Sequence, residues 1–245
     1  ETNPTGLAFS TDGTKMYVVG TTSDKVFEYS LDPRFNLKAA DYMGNSFSVA
    51  SEETGPSGLA FNNDGTKMYV IGFDSDSVYQ YTLSTAFAVS TASYDSVSFS
   101  VASQDTLPTE LAFNNDGSKM YIVGAANYTV FQYTLSTAFD LSTASYDSVS
   151  FSVSSQETGP SGLTFNTDGS KMYVVGNSGD SVYQYTLSTG FNLSTASYDN
   201  VSLSVASQDT NPLAVAFNTD GTKMYFVGST GDSVYQYTLS TAFDL

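Results

Sequence analysis

The chain has 245 residues, a formal charge of −17 from 25 acidic and 8 basic residues, 40% apolar residues, and no Cys, His or Trp. That balance excludes disulfides and thiolate metal sites, removes the usual general base near neutral pH, and repels nucleic acid and anionic lipid. No apolar run reaches the ~18 residues of a membrane span, and no basic–apolar–small leader opens the chain at Glu1.

The chain is expected to be a mature product or part of a longer one. An acidic surface rich in Ser and Thr, with 18 Tyr and 17 Phe, suits an extracellular or cell- or virion-surface β protein.

From the N-terminus, Pro4, the turn Asp12-Gly13, Lys15 and the pair Met16-Tyr17 set a pattern that returns every 52 residues. The turn recurs as Asp64-Gly65, Asp116-Gly117, Asp168-Gly169 and Asp220-Gly221, and the proline as Pro56, Pro108, Pro160 and Pro212. Residues 53–104 and 157–208 are identical at 40 of 52 positions. Self-similarity at a fixed period marks a repeat architecture. The copies are 1–52, 53–104, 105–156, 157–208 and 209–245, read as one domain.

Four strands are predicted in each copy. In the second they cover residues 58–61, 67–72, 77–83 and 96–102. Asn62-Asn63-Asp64-Gly65 is a tight hairpin signal, because Gly accepts positive φ. Met68-Tyr69-Val70-Ile71 is apolar on both faces, as in a strand held between layers. The fourth strand alternates Val97, Phe99 and Val101 with Ser96, Ser98 and Ser100, so one of its faces is wet.

A dry-to-wet gradient over four strands is that of a propeller blade running outward from an axis. Known blades with periods of ~40–50 residues lie close to this one. The expected fold class is all-β: a five-bladed β-propeller with four-stranded antiparallel blades. The fifth copy reaches Leu245 without a counterpart of residues 96–102, so the last blade is expected to lack its outer strand. It either stays three-stranded or takes a strand from a preceding segment or a neighbouring subunit. A preceding segment is favoured, and it would read like Ser-Val-Ser-Phe-Ser-Val.

The string from Pro56 to Val70, Pro-Ser-Gly-Leu-Ala-Phe-Asn-Asn-Asp-Gly-Thr-Lys-Met-Tyr-Val, resembles the blade motif of lactonase-like, YVTN and NHL propellers. The resemblance extends over all five copies. It implies that the first strand lies nearest the axis and the fourth outermost. It implies no single activity, since those families include enzymes, surface proteins and scaffolds.

Positions present in every copy read as structural, and departures from the repeat as candidate sites. Lys15, Lys67, Lys119, Lys171 and Lys223 form either an anion-binding ring or exposed guards on the hairpin turns. Glu1, Glu53, Asp105, Glu157 and Asp209 precede the first strand, and Asp24, Asp76, Asp180 and Asp232 precede the third. They either satisfy turn amides or make an acidic face for Ca²⁺, with Asp74 and Asp76 as the densest candidate ligands. No other cofactor is expected.

Phe73 and Tyr128, with Asn127, Asp180 and Asp232 in the equivalent loops, read as a sugar-binding surface or as drift at loop tips. Glu110 replaces Gly6, Gly58, Gly162 and Ala214 near the channel mouth, as a ligand, a base or a solvated strand end. Asn127, Asn192 and Asn200 lie in glycosylation sequons. Tyr29, Tyr81, Tyr133, Tyr185 and Tyr237 are expected to pack between blades.

With no His, and with Leu-Ala-Phe or Leu-Thr-Phe on the axial strands, the chain is expected not to be an enzyme. The expected role is a structural or adhesive module of a cell surface, filament or phage appendage, with protein or glycan partners. A multivalent carbohydrate-binding propeller and a lactonase-like hydrolase are the alternatives.

Overall fold

A computed structural model describes residues 1–245 as five antiparallel sheets in a ring. In the second sheet the strands are Pro56–Phe61, Lys67–Gly72, Ser77–Leu83 and Ala92–Ser100. The other blades repeat this order with the same register, except the fifth. That blade has only Pro212–Phe217, Lys223–Gly228 and Ser233–Thr238. Each first strand is an edge of its own sheet, and the five stand side by side around the axis. Pro4–Phe9 touches both Pro56–Phe61 and Pro212–Phe217, which closes the ring. The expected five-bladed propeller and its incomplete last blade are both borne out.

The turn residues act as predicted. Gly65 has φ +71, and the ring of Phe87 lies where a β-carbon would stand. Asp64 accepts from the Thr66 N–H at 3.0 Å and from its hydroxyl at 2.6 Å. These bonds hold the Asp64 carboxyl below its ordinary range.

The fourth strand differs from the expectation: it begins at Ala92 rather than at residue 96 and ends at Ser100. A bulge explains the miss. Gln80 faces Val97 but Tyr81 faces Tyr94, and Ser96 sits at φ 58. Two extra residues, Asp95 and Ser96, lie between these pairs, so Tyr94 shares the face of Tyr81 while Val97 shares the opposite face with Gln80, and the apolar residues change sides along the strand.

The second strands are sealed between sheets: Met68, Tyr69, Val70 and Ile71 are all 0% exposed. Burying an aliphatic side chain of this kind contributes roughly 1.5–3 kcal/mol. Tyrosines of the third strands do pack between blades, with Phe47 edge-on to Tyr81 and Phe99 edge-on to Tyr133, both at 5.5 Å.

Hydrogen bonds join each blade to the next. The Tyr17 hydroxyl donates to the Phe87 carbonyl at 2.7 Å, and Tyr225 closes the circle onto Phe35 at 2.6 Å. The lysines tie strands within a blade and, in some copies, one blade to the next. Lys15 pairs with Glu28 at 2.8 Å and Lys67 with Asp95 at 3.0 Å, while Lys223 donates to the Phe35 carbonyl at 2.8 Å. They are half-buried ties between elements, neither a free anion-binding ring nor exposed guards.

Candidate functional site

An inner strand bonded to a neighbour on one side only presents every second N–H and C=O to the axis. The Leu111 N–H is one of these, since it donates to the Glu110 carboxylate at 2.9 Å rather than to a strand. Leu59 N–H bonds the same carboxyl from the adjacent blade. Leu7, Leu163 and Val215 hold the same register against their second strands. Their N–H groups therefore face the axis as well.

A funnel of about 320 Å³ runs along this axis. Its wall is apolar and includes Phe9, Phe61, Phe113, Phe165 and Phe217. Thr11, Asn115, Thr167 and Thr219, from the turns after the first strands, place its polar rim at the Asp-Gly face.

Glu110 lines this funnel yet is only 3% exposed. It is not the solvated strand end that one reading of the sequence allowed. Gly58 makes room for it: a β-carbon there would collide with the Glu110 carboxyl. Burial drives the Glu110 pKa well above the ordinary 4.5, against the opposing pull of the Leu111 and Leu59 amides. A side chain of this kind carries a proton where ordinary carboxylates have lost theirs. Such a carboxyl can take part in proton transfer where no His is present.

The opposite face holds the remaining candidates, spread over the loops ahead of the third strands of four blades. Phe73 and Tyr128 are each 36% exposed, in separate blades. Asp74 accepts from the Thr54 hydroxyl at 2.7 Å. Asp76, Tyr128, Asp180 and Asp232 occupy the same left-handed turn position, with φ between 46 and 53. The Oδ1 atoms of Asp76 and Asp180 are buried without a partner. Burial, then the charges of Asp105 and Glu53, raises the Asp76 pKa. Asn127 donates its side-chain N–H to the Gln104 carbonyl at 2.8 Å.

The carboxylates ahead of the first strands accept from turn amides. Asp105 takes N–H groups from Leu107 at 2.8 Å and Asn127 at 2.9 Å, and Glu157 those of Gly159 at 2.7 Å and Gly179 at 3.1 Å. They fasten one loop to the next. No group of three or more acidic side chains gathers at metal-holding spacing, around Asp74 and Asp76 or elsewhere. On the axis Glu110 stands alone among glycines and an alanine, which does not fit the oxygen ligand set of a divalent ion.

No family model matches the chain, and no curated protein matches its sequence. Solved structures do resemble its fold. One is a Bacteroides uniformis protein provisionally named a 6-phosphogluconolactonase, with a TM-score of 0.59 and 11% identity, over 98% of this chain and 67% of that one. Another is the periplasmic gluconolactonase of Pseudomonas aeruginosa, with a TM-score of 0.52 and 15% identity, over 98% and 70%. A luciferin-regenerating enzyme gives 0.58 and 13%, over 98% and 92%.

The fold is the β-propeller shared with proteins named as lactonases, in keeping with the resemblance of the blade motif. These comparisons also correct the expectation that the chain is not an enzyme: proteins named as lactonases stand among its structural neighbours. The physical reason is that a carboxyl buried in an apolar wall can supply acid–base capacity without His, and Glu110 interrupts the small and apolar residues of the axial strands.

Proposed function

We propose that the axial funnel is the active site of a lactonase-like hydrolase that opens small cyclic esters by acid–base chemistry at Glu110. The observation that carries this reading is the single charged break in the fivefold repetition of the axis. It is a buried carboxyl with a raised pKa, set against an apolar funnel. Neighbours named as lactonases support the choice of reaction class.

In the ionised form, Glu110 takes a proton from the water that attacks the ester carbonyl. Axis-facing N–H groups stabilise the charge that develops on the carbonyl oxygen. The protonated carboxyl then passes that proton to the ring oxygen as the carbon–oxygen bond breaks. One water is consumed and one hydroxy acid leaves.

Phenylalanines in the wall favour an uncharged, partly apolar substrate, and the net charge of −17 disfavours a phosphorylated one. The test is turnover across uncharged γ- and δ-lactones, simple esters and a phosphorylated sugar lactone. Uncharged lactones should be opened, and Glu110→Gln should lower the rate about 10²–10⁴-fold. No turnover of any lactone or ester, or an unimpaired E110Q, overturns the proposal.

A further inference from the structure

At the rim between the fifth and first blades lies a cleft of about 480 Å³, lined by Met16, Val18, Tyr29, Tyr42 and Val234. The four complete blades show what fills the equivalent space. A valine just beyond each fourth strand (Val49, Val101, Val153 or Val205) is 0% exposed. Val49 packs on Met68 and Val70 of the next blade, and Val101 on Met120 and Ile122. Its N–H donates to the residue ahead of the third strand: Val49 to Asp24 at 2.8 Å, Val205 to Asp180 at 2.8 Å. Two residues earlier, Phe47, Phe99 and Phe151 each meet the third-strand tyrosine of the next blade at 5.5 Å.

Around the fifth blade every one of these receptors is present and every donor is missing. Met16 and Val18 are 4% and 5% exposed, whereas Met68, Met120, Met172 and Met224, like Val70, Ile122, Val174 and Phe226, are at 0%. Tyr29 has no phenylalanine across the seam, and the Asp232 carbonyl accepts no valine N–H. One edge of Ser233–Thr238 is unpaired. The cleft has the place and lining of a seat for one valine and one larger apolar side chain two residues apart.

We propose that the fifth blade is a strand acceptor, completed by one extended polypeptide segment supplied from outside residues 1–245. The segment lies antiparallel to Ser233–Thr238. It places Phe or Leu opposite Val234, as Phe99 lies opposite Val78 and Leu203 opposite Val182. Two residues on, a Val enters the cleft over Met16 and Val18 and donates its N–H to the Asp232 carbonyl. The outward face of the segment is Ser-rich and wet. Main-chain bonds along an open edge give the affinity, and the two apolar side chains fix the register.

The test adds a synthetic peptide with the sequence of residues 92–104 to the intact chain and follows amide hydrogen exchange together with binding. Saturable one-to-one binding is expected, with slowed exchange confined to Ser233–Thr238 and the strands lining the cleft. A peptide carrying F99S and V101S should bind at least tenfold more weakly. Equal binding of both peptides, no binding, or protection elsewhere overturns the proposal. So does a dimer that already protects this edge without peptide. Val18→Asp, which places a charge in the seat, should abolish binding. If that variant does not fold, the comparison of the two peptides on the unaltered chain still decides.

Discussion

The seven residues Ser-Val-Tyr-Gln-Tyr-Thr-Leu occur three times: as Ser77–Leu83, as Ser181–Leu187 and at 233–239. In the second and fourth blades the sequence is sealed, with Val78, Tyr81, Val182 and Tyr185 at 0% exposure. In the fifth, Val234 and Tyr237 are only half-buried and Gln236 is exposed. Identical residues thus have different burial because a fourth strand covers two copies and leaves the third open. Local sequence sets the strand, and the neighbour decides how much stability that strand contributes.

The largest effect that can sharpen this contrast is Tyr→Ala in the two settings. Tyr185→Ala should cost about 3–5 kcal/mol in denaturant unfolding, the range for a large aromatic lost from a core, and Tyr237→Ala less than half of that. Equal losses would break the comparison. Next is the axis, where a neighbour again decides. Gly58→Ala pushes a β-carbon into the Glu110 carboxyl and should cost about 1–3 kcal/mol, whereas pairing it with Glu110→Gly should recover most of the loss.

A pH-dependent contrast follows. The raised folded pKa of Glu110 means that the unfolded state loses its proton first. Stability therefore falls as pH rises from 4.5 towards the folded value, and then levels off. Thermal melts should show Glu110→Gln more stable than the parent at pH 7 and equal to it near pH 4. The Asp64, Asp116, Asp168 and Asp220 turns have the opposite sign. Their lowered pKa values contribute stability above 3.8 that is lost as pH falls below it. The smallest effect belongs to an ion pair within a blade: Lys67–Asp95 should give a coupling of about 0.2–1 kcal/mol in a double-mutant cycle, because the lysine is partly exposed.

Period, turn chemistry and the dry-to-wet gradient made the blades legible without coordinates. The fourth strand was legible only from residue 96 onwards, because the bulge at Ser96 breaks the alternation that identifies a strand. Glu110 was visible as a departure from Gly and Ala, but its burial was not. That depends on Gly58 of another blade, 52 residues away in the chain. The lysine ties were hidden for the same reason: Asp95, Glu28 and the Phe35 carbonyl become partners only when strands and blades close on one another. The rim cleft reads in the sequence merely as an absent strand, and its lining by Met16, Val18 and Tyr29 exists only once the first blade meets the fifth.

The most direct check on a proton-holding carboxyl at the axis is a ¹³C NMR titration of the Glu110 side chain, assigned by comparison with Glu110→Gln. The predicted result is one carboxyl that titrates well above 4.5 and is missing from the spectrum of the variant. An ordinary midpoint for Glu110 would contradict the account.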